Sequence, residues 1–359
     1  VSLVLANRLA LAGPAALRQP VGRRKLALAV AALTAGAPRL PCAQGTQLVV
    51  GTWGGDYGDI LRQAVDEPVA RPAGLDPVQD VAPAPPRKAK LLAERQARRG
   101  SMDVAALSDV DMYELAQHGM FDPVPDSVRR QSAIIPALRK PYALPHIYSA
   151  RVILYNPNKV SPAPRSYADL WDPKYQGRIG LSDLLYAQYV ETAAIVGGGG
   201  NGDFAPAWGK LRDWKRLGAR VYPSNEALAA ALKSEEVWLT VMWLARGFMW
   251  KKSGIPLEHV VPSEGATSIT YEMAVPRNAR NKEQAWRYMD AMLDVRAQSA
   301  FADRMGYVPT VTDAPLPPEL AKEINLSPED QAKLRAPDYG YMARMVPQVL
   351  EFWTKEFKG

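Results

Sequence analysis

Cysteine is nearly absent. Cys42 is the only one in 359 residues, so no internal disulfide braces the fold and no thiol nucleophile lies in the body of the chain. Acidic residues are missing from the first 55 positions; the first is Asp56. Histidine is scarce, and His118, His146 and His259 lie too far apart for metal-ligand spacing. No G-x-S-x-G elbow is present, which removes the most legible serine-hydrolase signal. Gly197 to Gly202 reads GGGGNG without the Lys-Ser/Thr of a phosphate-binding loop. No segment holds enough consecutive apolar residues to span a bilayer as a helix.

What is present suits a soluble globular chain, with 47% hydrophobic and 23% charged residues. Its length implies two domains or one two-lobed body. The net charge is +7. Six basic residues (Arg8, Arg18, Arg23, Arg24, Lys25 and Arg39) fall within residues 1–43, so removing that segment leaves +1. The basic balance is therefore no argument for nucleic acid. Arg23-Arg24-Lys25 followed by the Ala/Leu-rich run Leu26 to Ala35 reads as an export signal, with cleavage expected near Ala43-Gln44. The arginine pair keeps twin-arginine export open beside the general secretory route. Pro41 before Cys42 favours a free periplasmic protein over a lipid-anchored one.

Gln47 to Thr52 reads as the first strand. Trp53-Gly54-Gly55-Asp56-Tyr57 follows as a tight turn leading to a helix from about Gly58, and it offers aromatic side chains beside exposed backbone N–H groups. Leu75 to Val81 reads as a strand. Arg87 to Arg99 reads as a basic helix with a solvated outer face. Met102 to Leu107 reads as a buried strand, after which Ser108-Asp109 opens a helix that Asp109 caps. Tyr142 to Tyr148 and Ser149 to Asn156 form an extended crossover. Ser166 caps a short helix carrying Leu170 and Trp171, Asp172-Pro173 ends it, and Arg178 to Leu181 is a strand closed by Ser182-Asp183. Phe204 to Leu217 is a helix with Trp208, Leu211 and Trp214 on one face. Ser224 caps the helix Asn225 to Leu232. Val237 to Trp243 is an apolar strand, and Arg246 stands near the N-terminus of the next helix, where anions are favoured. Asn281 to Leu293 is a further helix.

The segment SYADLWDPKYQGRIGLSD, residues 166–183, together with TWGGDY, the strand ending in Trp243, the P-x-E-G of residues 262–265, TYEMAVP and the G-Y-x-P turn at 306–309, resembles the solute-binding proteins of ABC importers. The nearest branch binds spermidine and putrescine, ferric iron, thiamine or phosphorylated sugars. The resemblance covers most of residues 47–312. It implies an α/β, two-lobed periplasmic binding protein-like fold of type II, with two interlobe crossovers at about 144–152 and 266–276. The expected division is residues 1–43 as signal peptide, 44–146 plus 272–312 as lobe 1, 147–271 as lobe 2, and 313–359 as a C-terminal helical segment. The resemblance further implies a monomer in the periplasm that captures a small-molecule solute by hinge closure and delivers it to an ABC permease in the inner membrane. No catalysis, cofactor, metal or nucleic acid is expected. A periplasmic sensor subunit is an open alternative.

The expected ligand-binding residues are Trp53, Tyr57, Ser108, Asp109, Ser182, Asp183, Ser224, Trp243, Arg246 and Tyr271. Polyamine binding needs carboxylates to pair with ammonium groups. Where the resemblance implies acids, this chain has Leu184, Ala187 and Tyr271. There is no Tyr-Tyr pair of the kind the iron-binding relatives use. The favoured solute is therefore a small organic anion, held by an aromatic cleft with Ser108, Ser182, Ser224 and Arg246; a neutral or zwitterionic solute would use the same groups. Putrescine or spermidine remains the alternative through Asp109, Asp183 and Glu272.

Overall fold

The computed structural model describes residues 47–200 and 202–359. The expected export signal, Cys42 and the cleavage site lie outside the described residues. Among the described residues the elements follow the order β1 (Gln47–Thr52), α1 (Gly55–Leu61), β2 (Asp76–Val81), α2 (Ala84–Glu94), β3 (Val104–Ser108), α3 (Asp109–Gln117), β4 (Leu144–Tyr155), β5 (Gly180–Ser182), α4 (Tyr186–Val196), α5 (Ala207–Arg216), β6 (Arg220–Tyr222), α6 (Asn225–Lys233), β7 (Leu239–Trp243), α7 (Leu244–Lys252), β8 (Glu258–Val260), β9 (Thr267–Ala274), α8 (Lys282–Met292), α9 (Val295–Met305), β10 (Val308–Pro309), α10 (Pro318–Ile324), α11 (Pro328–Ala332) and α12 (Tyr339–Phe352).

The main sheet runs β10-β4-β9-β3-β1-β2, with β7 and β8 both added to β4. Strands β1, β2 and β3 are parallel. The long strands β4 and β9 pair antiparallel over most of their length. These two strands pass from one hydrophobic core to another. Leu144 and Ile147 of β4 and Met273 of β9 belong to a core that includes Leu48, Val50, Tyr288 and Phe301. Val152, Ile153 and Leu154 of β4 and Ile269 of β9 belong to a second core built on Tyr189, Trp214, Leu239 and Val241. The result is the two-lobed α/β periplasmic binding protein-like architecture, with the crossovers on β4 and β9.

Local chemistry explains most boundaries. Ser166 and Asp169 form a reciprocal capping box on the 3₁₀ turn Tyr167–Trp171, and Ser224 Oγ accepts from Ala227 N at the start of α6. Three expectations need correction. The first helix begins at Gly55 rather than near Gly58, because Gly55 takes the left-handed φ of +60° that turns the chain directly into it. The basic helix ends at Glu94 rather than Arg99. Its carboxylate turns to accept from Ser101 N and Oγ, and its carbonyl accepts from Asn278. The cap of α3 is Ser108, not Asp109: Ser108 has extended backbone angles and its Oγ accepts from Asp111 N. Asp109 instead turns its buried carboxylate toward β9.

The chain's end folds back onto the second core. Trp353 stacks on Tyr189 with ring centroids 5.9 Å apart and on Phe357 at 4.5 Å. Tyr341 Oη accepts from Phe204 N at 2.8 Å.

Candidate ligand-binding cleft

Two cavities lie along β9 and the corner where β7 meets α7. The first, of about 320 Å³, is lined by the turn after β1 (Trp53 to Tyr57), Ile147, Glu226, Arg246, Met249, Tyr271, Met305 and Tyr307. The second, of about 280 Å³, includes Ser108, Asp109, Trp243 and Ile269 and is walled on one side by α12.

Four aromatic rings build the first cavity. Trp53 meets Tyr57 and Tyr271 edge-on, each with centroids 5.1 Å apart, and Tyr271 meets Tyr307 edge-on at 5.6 Å. Edge-to-face contacts of this kind fix ring orientation. The buried Arg87 places its guanidinium over the Trp53 ring, 4.8 Å from the centroid, a cation–π contact. Tyr57 Oη shares a 2.8 Å hydrogen bond with His146 Nδ1. Burial pushes His146 down to about 3, so the imidazole is neutral at physiological pH and serves as a polar buttress. Burial likewise raises the Tyr271 and Tyr307 hydroxyls above their usual range, so both are neutral; the Arg246 charge acts in the opposite direction on each.

Arg246 lies in the first turn of α7 and is half-buried. It lines the first cavity and makes no ion pair or hydrogen bond among the described residues. A half-buried guanidinium can accept a carboxylate or phosphate through paired N–H donors. Asp56 and Glu226 also line this cavity, but both are exposed at its rim.

The acids that the sequence leaves for a cationic ligand are placed differently. Asp109 accepts from Thr270 N at 3.1 Å, Tyr339 Oη at 3.1 Å and Val110 N at 2.9 Å. Burial nonetheless raises it to about 6, against the lowering effect of Lys140 and these donors. Glu272, on the opposite face of β9 from Tyr271, meets Lys140 Nζ at 2.6 Å and is raised by burial to about 7. Asp183 accepts from Trp353 Nε1 and Lys358 Nζ, both at 2.7 Å. Burial acts to raise its pKa, and these two donors together outweigh that and lower it. Each carboxylate is thus already held by the chain.

The ten expected site residues therefore separate into three groups. Trp53, Tyr57, Arg246 and Tyr271 line the first cavity. Ser108, Asp109 and Trp243 line the second. Ser182, Asp183 and Ser224 line neither. Ser182 Oγ bonds Asn225 at 2.7 Å, Asp183 clamps the C-terminal segment, and Ser224 caps α6. Sequence reasoning missed Tyr307, Met305 and Met249. Tyr307 was visible in the G-Y-x-P turn, where Gly306 with φ +71° ends α9 and aims the ring into the cavity. Among the described residues no group of three His, Cys, Asp or Glu is placed to hold a metal ion, and no helix is long and apolar enough to cross a membrane.

Comparisons with known proteins agree with this architecture. The family described as bacterial extracellular solute-binding protein matches residues 82–328. The spermidine/putrescine-binding periplasmic protein of Salmonella typhimurium is 31% identical over 196 residues, covering 53% of this chain and 56% of that protein. Its counterpart in Escherichia coli is 29% identical over 247 residues, covering 64% of this chain and 70% of that protein. The match thus spans little more than half the length of the Salmonella relative. Among solved structures, a GABA receptor superposes with a TM-score of 0.76 at 22% identity, covering 86% of this chain and 97% of the other. The spermidine/putrescine ABC transporter substrate-binding protein from Streptococcus pneumoniae superposes with a TM-score of 0.70 at 19% identity, covering 85% and 99%.

Proposed function

Since the chain belongs to the bacterial extracellular solute-binding proteins, we propose that it is the solute-capturing component of an ABC importer, and that its solute is a small organic anion. The carrying observation is the contrast in partners. Arg246 lines the aromatic cavity without an ion pair among the described residues, the carboxylates of Asp56 and Glu226 standing exposed at the rim, while Asp109 and Asp183 accept hydrogen bonds from the chain itself and Glu272 is ion-paired with Lys140. A polyamine would have to displace those donors and bury ammonium groups in their place, at a cost of several kcal/mol for each desolvated charge left poorly paired. An anion meets a guanidinium that is already half-desolvated and unpaired.

The fold itself leaves the ligand's charge open, because it is shared by a GABA receptor and by a spermidine/putrescine-binding protein. The curated relatives bind spermidine or putrescine by name, and that ligand is the competing reading. Capture proceeds by closure about β4 and β9: the solute enters the open cleft, Trp53 and Tyr271 pack on it, and Arg246 takes its negative group. The closed monomer is then read by a membrane permease on the periplasmic side. The protein binds and releases its solute without transforming it.

Titration calorimetry of the protein against small carboxylates, phosphonates and sugar phosphates, with putrescine and spermidine in parallel, tests the reading. Heat from at least one anion and none from either polyamine is expected. Saturable polyamine binding with no anion binding would refute it.

A further inference from the structure

The second cavity differs from the first in the chemistry of its wall, and α12 supplies much of that difference. Its charged lining residues are paired within the chain. Arg151 and Glu191 approach to 2.7 Å while fully buried. Asp111 is held by Lys88 at 3.0 Å and by Ser108 Oγ at 3.0 Å, and Asp109 by Tyr339 and two backbone N–H groups. What this wall offers a ligand, beside the uncharged polar groups of Gln188, Thr267 and Ser268, is apolar surface: Trp243 from the end of β7, Ile269 from β9, and Met342 and Val349 from α12. Two further lining residues, Leu184 and Val346, are large apolar side chains left 61% and 36% exposed. Exposed apolar residues grouped at a cavity mark a surface that gains from being covered.

The two cavities are neighbours on one strand face. Ile269 lines the second and Tyr271 the first. Residues two apart on a strand point the same way and lie roughly 7 Å apart. Trp243 and Arg246, one turn apart at the β7–α7 corner, divide between the same two cavities. A chain of about five or six carbons attached to a carboxylate spans that interval.

We propose that the second cavity is a subsite for an uncharged, apolar extension of the solute, walled by the protein's own C-terminal helix, so that the preferred solute class is a carboxylate carrying an alkyl or aryl chain. This deepens the anion reading and depends on it. The C-terminal segment thereby acts as a specificity element: it occupies the carboxylates of Asp109 and Asp183 with hydrogen bonds and adds Met342, Val346 and Val349 to the cavity wall.

The test is calorimetry with straight-chain carboxylates from butanoate to octanoate, on the wild-type protein, on a Leu184→Asp/Val346→Asp double variant and on Arg246→Ala. Both substituted apolar residues are exposed, and an unchanged Tm verifies that the double variant is folded. In the wild type the affinity should rise about fourfold per methylene, the equivalent of about 0.8 kcal/mol, and in the double variant the series should be flat. A flat series in the wild type, or the same slope in the double variant, overturns the subsite; the anion reading survives that result if Arg246→Ala still weakens butanoate binding. Butanoate binding unaffected by Arg246→Ala overturns the anion reading and the subsite with it. So does failure of the whole series to bind.

Discussion

The two cavities share a strand, a helix corner and a similar volume, yet their charges are in opposite conditions. In the second, the charged side chains are matched by others brought from distant parts of the sequence: Asp109 by Tyr339 and Arg151 by Glu191. In the first, Arg246 has no ion pair among the described residues, and the acids that line the same cavity, Asp56 and Glu226, are exposed. Unpaired charge in a partly desolvated place is costly to keep, and the proposed anion would relieve that cost at Arg246. Counting acids and bases around a cleft would miss this. The partners decide which of them are available.

The strongest way to break the contrast is to unpair the closed side. Arg151→Met leaves Glu191 fully buried without its cation, and unfolding in denaturant should show a loss of about 3–5 kcal/mol. Adding Glu191→Leu should restore much of it, because the pair as a whole contributes little beyond what packed apolar groups would. The approach of Arg151 Nη1 to Glu191 is that of an ion pair without an aligned hydrogen bond, and Thr267 Oγ1 accepts from Arg151 Nη2 at 3.0 Å.

A second effect, smaller and dependent on pH, comes from Glu272. Its folded pKa is raised to about 7 by burial, above the ordinary glutamate value. The raised value favours the folded state when the group is protonated in both states, so this contribution is fully present below about pH 4 and is lost as pH rises through about 7. Glu272→Gln removes the titration. Relative to the wild type, the variant should gain stability between about pH 5 and 8, by up to about 3 kcal/mol, read from denaturant midpoints across that range. His146 contributes with the opposite sign, since its depressed value costs stability as pH falls below about 6.5; both proteins carry it, so it cancels in the difference, which then reports Glu272 together with its coupling to Asp109.

Asp183→Asn sharpens the comparison at the chain's end. It keeps a side chain that accepts from Trp353 but loses the charge that meets Lys358. A cost of about 1 kcal/mol is expected in thermal unfolding. Arg246→Ala should change stability least of all, within about 0.5 kcal/mol in the absence of ligand, because no described residue makes a hydrogen bond or ion pair to that guanidinium.

The legible part of this protein was its local and family-level grammar. Ser166 and Ser224 announced their caps, the apolar run ending at Trp243 announced a buried strand, and the residues around 166–183 and 270–276 carried the family resemblance. Trp53, Tyr57 and Trp243 were expected at the cleft from that resemblance, and Arg246 from its place near a helix N-terminus. The state of the carboxylates was hidden for a physical reason: their partners are far away in sequence. Tyr339 reaches Asp109 across 230 residues and Lys358 reaches Asp183 across 175, and no periodicity or spacing encodes such pairs. The exchange of roles between Ser108 and Asp109 was hidden because both residue types cap helices well, and only the pull of Thr270 N on Asp109 separates them. Helix α9 went unread although its Gly306 terminator was noticed as part of a turn.

The most direct measurement is thermal unfolding of the wild type and of Arg246→Glu, each with a small carboxylate and with spermidine. A ligand at about a hundred times its dissociation constant stabilises by roughly 2.7 kcal/mol, a shift of several degrees or less for a chain of this size but readily resolved. The account predicts a rise in Tm with the carboxylate in the wild type, none with spermidine, and loss of the carboxylate effect in Arg246→Glu. A rise with spermidine that persists in Arg246→Glu and vanishes in Asp183→Asn would contradict it, and would show that the carboxylates, once released from their own partners, are the binding groups.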